Sequence, residues 1–398
     1  MIVRFPSGAT DPMPAAEPLT VGDARVVAFL GALSARLLSP SVARAHPELG
    51  SLGFFLRRAE LARTVERIRT TDPHTVRRPR GLVFHVPPAN VDTVFVYSWA
   101  LSALAGNRNV VRLSSRSAGA ADAVLAALNA ALADADPVIA RTQRMITYGR
   151  DDAVTAALSA ACDLRVLWGG DASVTELRRY PLGPLARDLT FPDRSSFAVL
   201  SAAGWLTAAG DAQRAAAEGY ANDVYWFDQA ACSSPGTLYV IGAPADAEKA
   251  VDGFRRELAE AVHRRGWTVD AAMAVEKRVR AYGLAADGRA VGVRFPSNEL
   301  AWLRLADGAE PARAWLGAGV VAVSRLDSLL DLVPMVGPRD QTVSHFGFTV
   351  GQLRPLVEAL PGRGVDRIVP FGQALSFAPV WDGHDLLEEF TTRTTIRT

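Results

Sequence analysis

The residues with the most chemical promise lie in "YWFDQAACSSPGTLYVI", residues 225–241. Cys232, one of two cysteines in the chain, stands between the small residues Ala230 and Ala231 and a Ser-Ser-Pro-Gly turn, directly before a strand-like run. Small neighbours leave room for a substrate, and the turn can present a backbone N–H beside the sulfur. Free cysteine is also among the most often buried residue types, so Cys232 is either a packed thiol or a nucleophile. Asn90, in "FHVPPANVDT", falls just past a strand and before a helix. Asparagine there is either an N-cap or an amide donor aimed at a developing oxyanion. The Gly169-Gly170 pair follows the strand "LRVLW" and is the one glycine feature able to seat a phosphate. It is neither a G-x-G-x-x-G fingerprint nor a P-loop, and a strand-to-helix turn needs glycine for geometry alone.

The elements that must position these residues alternate along the chain. Residues 1 to about 20 are rich in Pro, Ala and Gly and read as an irregular arm; residues 21–70 are helical in pattern, broken at Pro40 and Pro47. From Gly81 the texture becomes strand and helix in turn: "LVFHV" (82–86), a helix closing at Gly106, "NVVRLSS", and an Ala-rich helix from about Ala118 to Ala133 with Leu125, Leu128 and Leu132 on one face. Asp151 and Asp152 open a short helix, "LRVLW" (164–168) is a strand, "SVTELRR" a helix and "SFAVL" (196–200) another strand. This rhythm predicts a parallel, helix-covered sheet, which binds ligands at the carboxyl ends of its strands. After Cys232 a second unit is expected. It opens with "TLYVI" (237–241) and a helix from Asp246 with Val251, Phe254, Leu258 and Val262 inward, followed by strand-like "VGVRF", "AWLRL" and "GVVAVS".

Bulk composition narrows the function. With 398 residues the chain is long enough for two domains, and 49% hydrophobic with 21% charged residues is an ordinary globular composition. A formal charge of +1 supplies no excess basic field for nucleic acid. The only lysines, Lys249 and Lys277, lie in nothing resembling a site, which argues against Schiff-base chemistry. Two cysteines cannot build a disulfide framework, no spacing suggests a metal, and a reducing cytoplasm fits best. The N-terminus lacks the apolar core of a signal peptide, and the uncharged, largely apolar run Thr93 to Asn107 is too short to span a bilayer.

Four segments carry a resemblance. "DQAACSSPG" is similar to the cysteine motif of the bacterial luminescence acyl-CoA reductase (LuxC) family, a branch of the aldehyde dehydrogenase superfamily. "FHVPPANVDTVFVYSWALSALAGNRNVVRLSSRS" resembles that family's opening strand–Asn–helix–strand segment and "LRVLWGGDASVTELRRYPL" its Trp-Gly-Gly-Asp turn. "GVDRIVPFGQALSFAPVWDGHDLL" resembles its C-terminal Trp-Asp-Gly stretch, so the segments occur in order over residues 81–387, while residues 1–75 match only loosely.

The resemblance implies an α/β, aldehyde dehydrogenase-like fold, with a Rossmann-like parallel-sheet cofactor domain and a second α/β catalytic domain. The expected division is an N-terminal arm and helical segment (1–75), a nicotinamide domain (76–222), a cysteine domain (223–370) and a C-terminal tail (371–398). It makes Cys232 the acyl-accepting nucleophile and Asn90 its oxyanion donor, and it sets Gly169 and Gly170 against the cofactor pyrophosphate. Arg112, Ser114 and Arg116 fall at the adenosine ribose. A guanidinium there suits a 2′-phosphate, hence NADPH, with NADH as the alternative. Thr190 stands where hydrolytic relatives carry the glutamate that activates water, so the acyl-enzyme is expected to be reduced rather than hydrolysed. The implied activity is NADPH-dependent reduction of an acyl thioester, on coenzyme A or a carrier, to the aldehyde. The implied partners are an acyl-protein synthetase or a carrier protein, and a homo-oligomer is expected. A cysteine acyltransferase without redox chemistry and a glutamyl-phosphate-reductase-like acyl-phosphate reductase are the alternatives. No His or Lys lies near Cys232 in sequence to activate the thiol, leaving His85 and His345 as candidates.

Overall fold

The computed structural model of the chain describes residues 1–69, 72–88, 94–114, 119–360, 362 and 364–397. Asn90 and Arg116 lie outside these residues. Two compact units emerge: Met1–Asp193 together with Phe377–Thr398, and Arg194–Ser376.

The first unit carries β1 (Ile2–Phe5), β2 (Thr75–Pro79), β3 (Leu82–Val86), β4 (Arg108–Leu113), β5 (Gln143–Thr147), β6 (Leu164–Trp168) and β7 (Arg187–Phe191). Its main sheet runs β1-β5-β4-β3-β6-β7, parallel throughout except for β1, which lies antiparallel to β5. Every residue of β3 and of β6 is buried, the pattern expected of central parallel strands covered on both faces. The chain builds outward from β3 through β4 to β5, then crosses back to β6 and β7. That reversal places a topological switch point between the carboxyl ends of β3 and β6.

Two expectations are corrected in this unit. The N-terminal arm is not wholly irregular, because Val3 and Phe5 of β1 are registered against Ile146 and Met145 of β5. Nor is the C-terminus a tail: Thr391–Thr395 pairs antiparallel with β2, and Trp381, Leu386, Leu387 and Phe390 are buried with Phe29, Leu33 and Trp99 in one core. Each fully buried side chain of this size is worth roughly 1.5–3 kcal/mol, so the segment is fixed by its apolar residues.

The second unit carries β8 (Ser195–Ser201), β9 (Pro235–Ile241), β10 (Ala290–Arg294), β11 (Ala301–Leu305), β12 (Val320–Leu326), β13 (Asp340–Phe346) and β14 (Arg367–Pro370). Their order is β10-β11-β12-β9-β8-β13-β14, with only β10 antiparallel to its neighbour. The division therefore falls at 193/194 and not at 222/223. The strand read as closing the first domain is hydrogen-bonded to β9 on one side and β13 on the other. The helix Pro244–Arg265 turns Phe254, Leu258 and Val262 into the core, as its periodicity predicts. Helix Gly210–Tyr225 brings Asp223, 1% exposed, under the loop before the chain returns. Its carboxylate accepts the N–H groups of Gly372 at 2.7 Å and Ala374 at 3.0 Å, and burial still pushes its pKa up to about 7.

No helix among the described residues is long and apolar enough to cross a membrane.

Candidate active site

The two cysteines occupy opposite environments. Cys162 is packed in the first unit's core, its thiol donating to Ser159 O at 3.3 Å, and burial raises its pKa to about 12. That thiol is inert. Cys232 is half-buried and lines a cleft of about 120 Å³ within the second unit.

The chain reaches Cys232 through a strained turn. Phe227, Asp228 and Gln229 hold φ values of 57°, 52° and 58°, three successive non-glycine residues in the left-handed region. Such conformations cost on the order of 1–3 kcal/mol each and persist only where surrounding contacts impose them. Those contacts are present. Gln229, buried, donates through Nε2 to Pro235 O at 2.8 Å and Val320 O at 3.0 Å, while its Oε1 accepts Val320 N–H at 3.3 Å. Trp315 Nε1 donates to Asp228 O at 2.8 Å. Ser196 Oγ donates to Cys232 O at 2.7 Å and accepts Thr342 N–H at 3.1 Å. The cysteine is thus clamped on both sides while Ala230 remains exposed and Ala231 half-buried, as its small neighbours suggested.

Two guanidinium groups, Arg194 and Arg313, line the same cleft. Arg313 grips Asp340, itself 1% exposed, through Nε at 3.2 Å and Nη2 at 2.9 Å, and also donates to Met335 O at 2.7 Å. Arg194 donates to Asp340 O at 3.0 Å and pairs with Asp366. Fixed positive groups beside a thiol favour its thiolate. Neither histidine fills that role. His85 is fully buried in the first unit between Ser98 Oγ and Asn109 Oδ1, both at 2.9 Å, and burial lowers its pKa to about 4. His345 lies five residues along β13 from Asp340, about 17 Å at the usual rise of a strand, and is absent from the cleft. Lys277 is likewise elsewhere, buried and donating to two carbonyls. Sequence reasoning missed Arg194, Arg313, Gln229 and Ser196. The motif spacing around Cys232 made only Gln229 accessible; Ser196 comes from β8, and Arg194 and Arg313 from the segments that precede β8 and β12.

In the first unit, Gly169 and Gly170 follow β6 at the switch point. Gly169 holds φ +152°, and a side chain at Gly170 would meet the Asp193 carboxylate at 3.1 Å, so each glycine has a geometric reason to be there. Helix Asp171–Arg178 starts at Gly170, and Asp193 Oδ2 accepts Asp171 N–H at 3.1 Å while Asp193 N–H returns a bond to Asp171 Oδ1 at 3.2 Å. Arg112, near the carboxyl end of β4, stacks over the Tyr148 ring at 4.6 Å and makes no salt bridge among the described residues. Ser114 is half-exposed just past that strand end. Thr190, in β7, is half-buried opposite Leu167.

A switch-point sheet joined to a second parallel sheet with a clamped cysteine defines a class, the aldehyde dehydrogenase-like α/β fold. The aldehyde dehydrogenase KauB from Pseudomonas aeruginosa matches with a TM-score of 0.64 at 15% identity, over 93% of this chain and 82% of that one. The indole-3-acetaldehyde dehydrogenase AldA of P. syringae, solved with NAD+, matches at 0.63 and 14%, over 94% and 83%. Within that class the family model for acyl-CoA reductase (LuxC) matches residues 58–393, and the chain belongs to that family. The long-chain acyl-protein thioester reductase of Aliivibrio fischeri is 25% identical over 173 residues, 43% of this chain. The match spans 34% of that protein's length.

Proposed function

We propose that the protein reduces an acyl thioester, carried by coenzyme A or a carrier protein, to the aldehyde through an acyl-enzyme on Cys232, using NADPH. The observation that carries this reading is half-buried Cys232, its backbone held by Ser196, in a cleft lined by two arginines, in a chain of the acyl-CoA reductase family.

The residues present fit a nicotinamide dinucleotide. The first unit offers a switch point at the carboxyl ends of parallel strands, glycines at the following turn and, in Arg112, a guanidinium without a carboxylate partner among the described residues. Gly169 and Gly170 would admit the pyrophosphate, with Arg112, Ser114 and Arg116 toward the adenosine ribose and its 2′-phosphate. When bound, the dinucleotide supplies hydride.

The Cys232 thiolate attacks the thioester carbonyl, and the Asn90 amide donates to the resulting oxyanion. Collapse expels the carrier thiol, which takes up a proton, and leaves the acyl group on Cys232. Hydride added at the acyl carbon would leave a thiohemiacetal on Cys232, whose collapse would release aldehyde and restore the thiolate. Thr190 carries no carboxylate, so water at that position has no general base and the acyl-enzyme survives to be reduced. We assign the first unit to the cofactor and the second to the acyl group, in a cytoplasmic enzyme fed by an acyl-protein synthetase or carrier.

Cys232→Ala tests this directly. Acyl transfer to the protein, read by intact mass, and thioester-dependent NADPH consumption should both vanish. Retention of either overturns the assignment.

A further inference from the structure

The Cys232 cleft contains a hydroxyl that the fold itself does not use. Ser234 lies two residues past the thiol, lines the same cleft and is 5% exposed. Its Oγ is buried and has no hydrogen-bond partner among the described residues. Buried polar groups are nearly always paired, and leaving one unpaired costs folding free energy, so an orphan calls for a reason.

Its neighbours sharpen the anomaly. Ser195 Oγ donates to Asp340 Oδ1 at 3.1 Å, Ser196 Oγ donates to Cys232 O, and the Gln229 amide is taken up at both ends. Trp315, Arg194 and Arg313 have partners as well. Apart from the thiol, every other polar side chain on the cleft is therefore engaged within the protein. Nor does the backbone need a hydroxyl at this position. Ser234 N–H donates to Ala231 O at 2.9 Å, closing a turn across Cys232 and Ser233. A residue before proline, here Pro235, favours extended backbone whatever its side chain. Alanine meets both demands, so the hydroxyl is surplus to the fold.

We propose that Ser234 is a catalytic residue: during acyl transfer its hydroxyl turns into the cleft and donates a hydrogen bond to the thioester carbonyl oxygen. This deepens the reading of Cys232 as the acyl-accepting nucleophile and rests on it. No hydrogen bond holds the hydroxyl in its present orientation, and a serine side chain has other staggered positions open to it. As the thiolate adds to the carbonyl carbon, a C–S bond forms and the carbonyl π pair moves onto oxygen. The Ser234 O–H donates to that oxyanion and keeps its proton, because an alcohol is too weak an acid to give it up. The oxygen pair then returns to carbon as the carrier thiolate leaves. Such a bond strengthens as charge develops on the oxygen, so it favours the transition state over the bound thioester. Ser234 is thus a donor in addition to the Asn90 amide.

Single-turnover acylation of the full chain by coenzyme A thioesters of graded chain length, read by intact mass, tests the assignment. Ser234→Ala should slow acylation roughly 10–100-fold, as loss of a hydrogen bond to a charged oxygen does. Iodoacetamide alkylation of Cys232 creates no oxyanion and should keep its wild-type rate. The thermal midpoint should not fall, since the substitution leaves no partner unpaired. Ser234→Thr and Ser234→Val bring nearly the same shape, so any crowding is common to both. The first should acylate at least roughly tenfold faster than the second. Equal rates in that pair overturn the proposal. So does a Ser234→Ala protein that acylates like the wild type, loses alkylation rate in step with acylation, or melts earlier. A wild type that none of the thioesters acylates removes the Cys232 reading itself, and this inference with it.

Discussion

The two sheets present their chemistry at opposite edges. In the first unit the candidate nucleotide residues sit at the carboxyl ends of β4 and β6, where the following helix begins. In the second unit the Cys232 cleft is lined by the starts of β8 and β9 and by the segment 312–316 leading to β12, the amino edge of a parallel sheet. Helices that follow parallel strands turn their positive ends toward the carboxyl edge and their negative ends toward the amino edge. Under the proposed function, an anionic dinucleotide at the first unit's carboxyl edge would face the positive ends of these helices. A Cys232 thiolate at the amino edge of the second unit would have no such help; the guanidinium groups lining its cleft, Arg194 and Arg313, are each paired with a carboxylate, Asp366 and Asp340. The proposed dinucleotide site follows the usual rule that ligands gather at carboxyl ends, and the proposed acyl site departs from it.

The comparison can be broken or sharpened by experiment. The largest effect is expected at Asn90. Asn90→Ala should lower kcat roughly 10²–10³-fold, as loss of an oxyanion donor does, while the rate of Cys232 alkylation stays unchanged. Slower alkylation would mean the amide acts on the thiol itself. Next, Arg194→Gln should slow iodoacetamide alkylation of Cys232 at neutral pH by roughly tenfold and move its pH profile upward by about one unit, with NADPH affinity untouched. An unmoved profile would remove side-chain charge as the reason the amino edge works. In the first unit, Arg112→Gln should reduce the preference for NADPH over NADH by a few-fold, roughly 1 kcal/mol, without altering thiol reactivity.

The smallest effect separates the units by pH. Arg77, with help from Arg393, holds the Glu388 carboxyl down to about 2 at the β2 ribbon. A depressed carboxyl stabilises the fold above its unfolded value, and that contribution fades as pH falls through about 2. Asp223 behaves oppositely. Raised to about 7 by burial, it stabilises fully below the ordinary aspartate range and loses that contribution as pH rises through about 7. Hydrogen-exchange protection should therefore fall in acid at residues 391–395 and toward alkaline pH at residues 371–375. The reverse pattern would contradict both assignments.

What the sequence made legible follows from how local each signal is. The buried strands 82–86 and 164–168 and the helix ending at Arg265 are recorded in continuous apolar runs or helical spacing. The strand 195–201 was equally legible as a strand, but its membership depended on partners 39 or more residues away, which local pattern does not encode. Cys232 was legible because a turn of small residues is local. The arginines were not, since only the closing of the sheet draws Arg194 and Arg313 to one cleft. The left-handed run at Phe227–Gln229 is invisible in composition, because none of the three residues is glycine.

The second unit is inserted into the first, which receives its last core residues only from the segment beginning at Phe377. A ribosome making this chain therefore releases the whole of the second unit before the first unit's core can close. Until then the surfaces that Trp381, Leu386 and Phe390 cover in the finished fold stay bare.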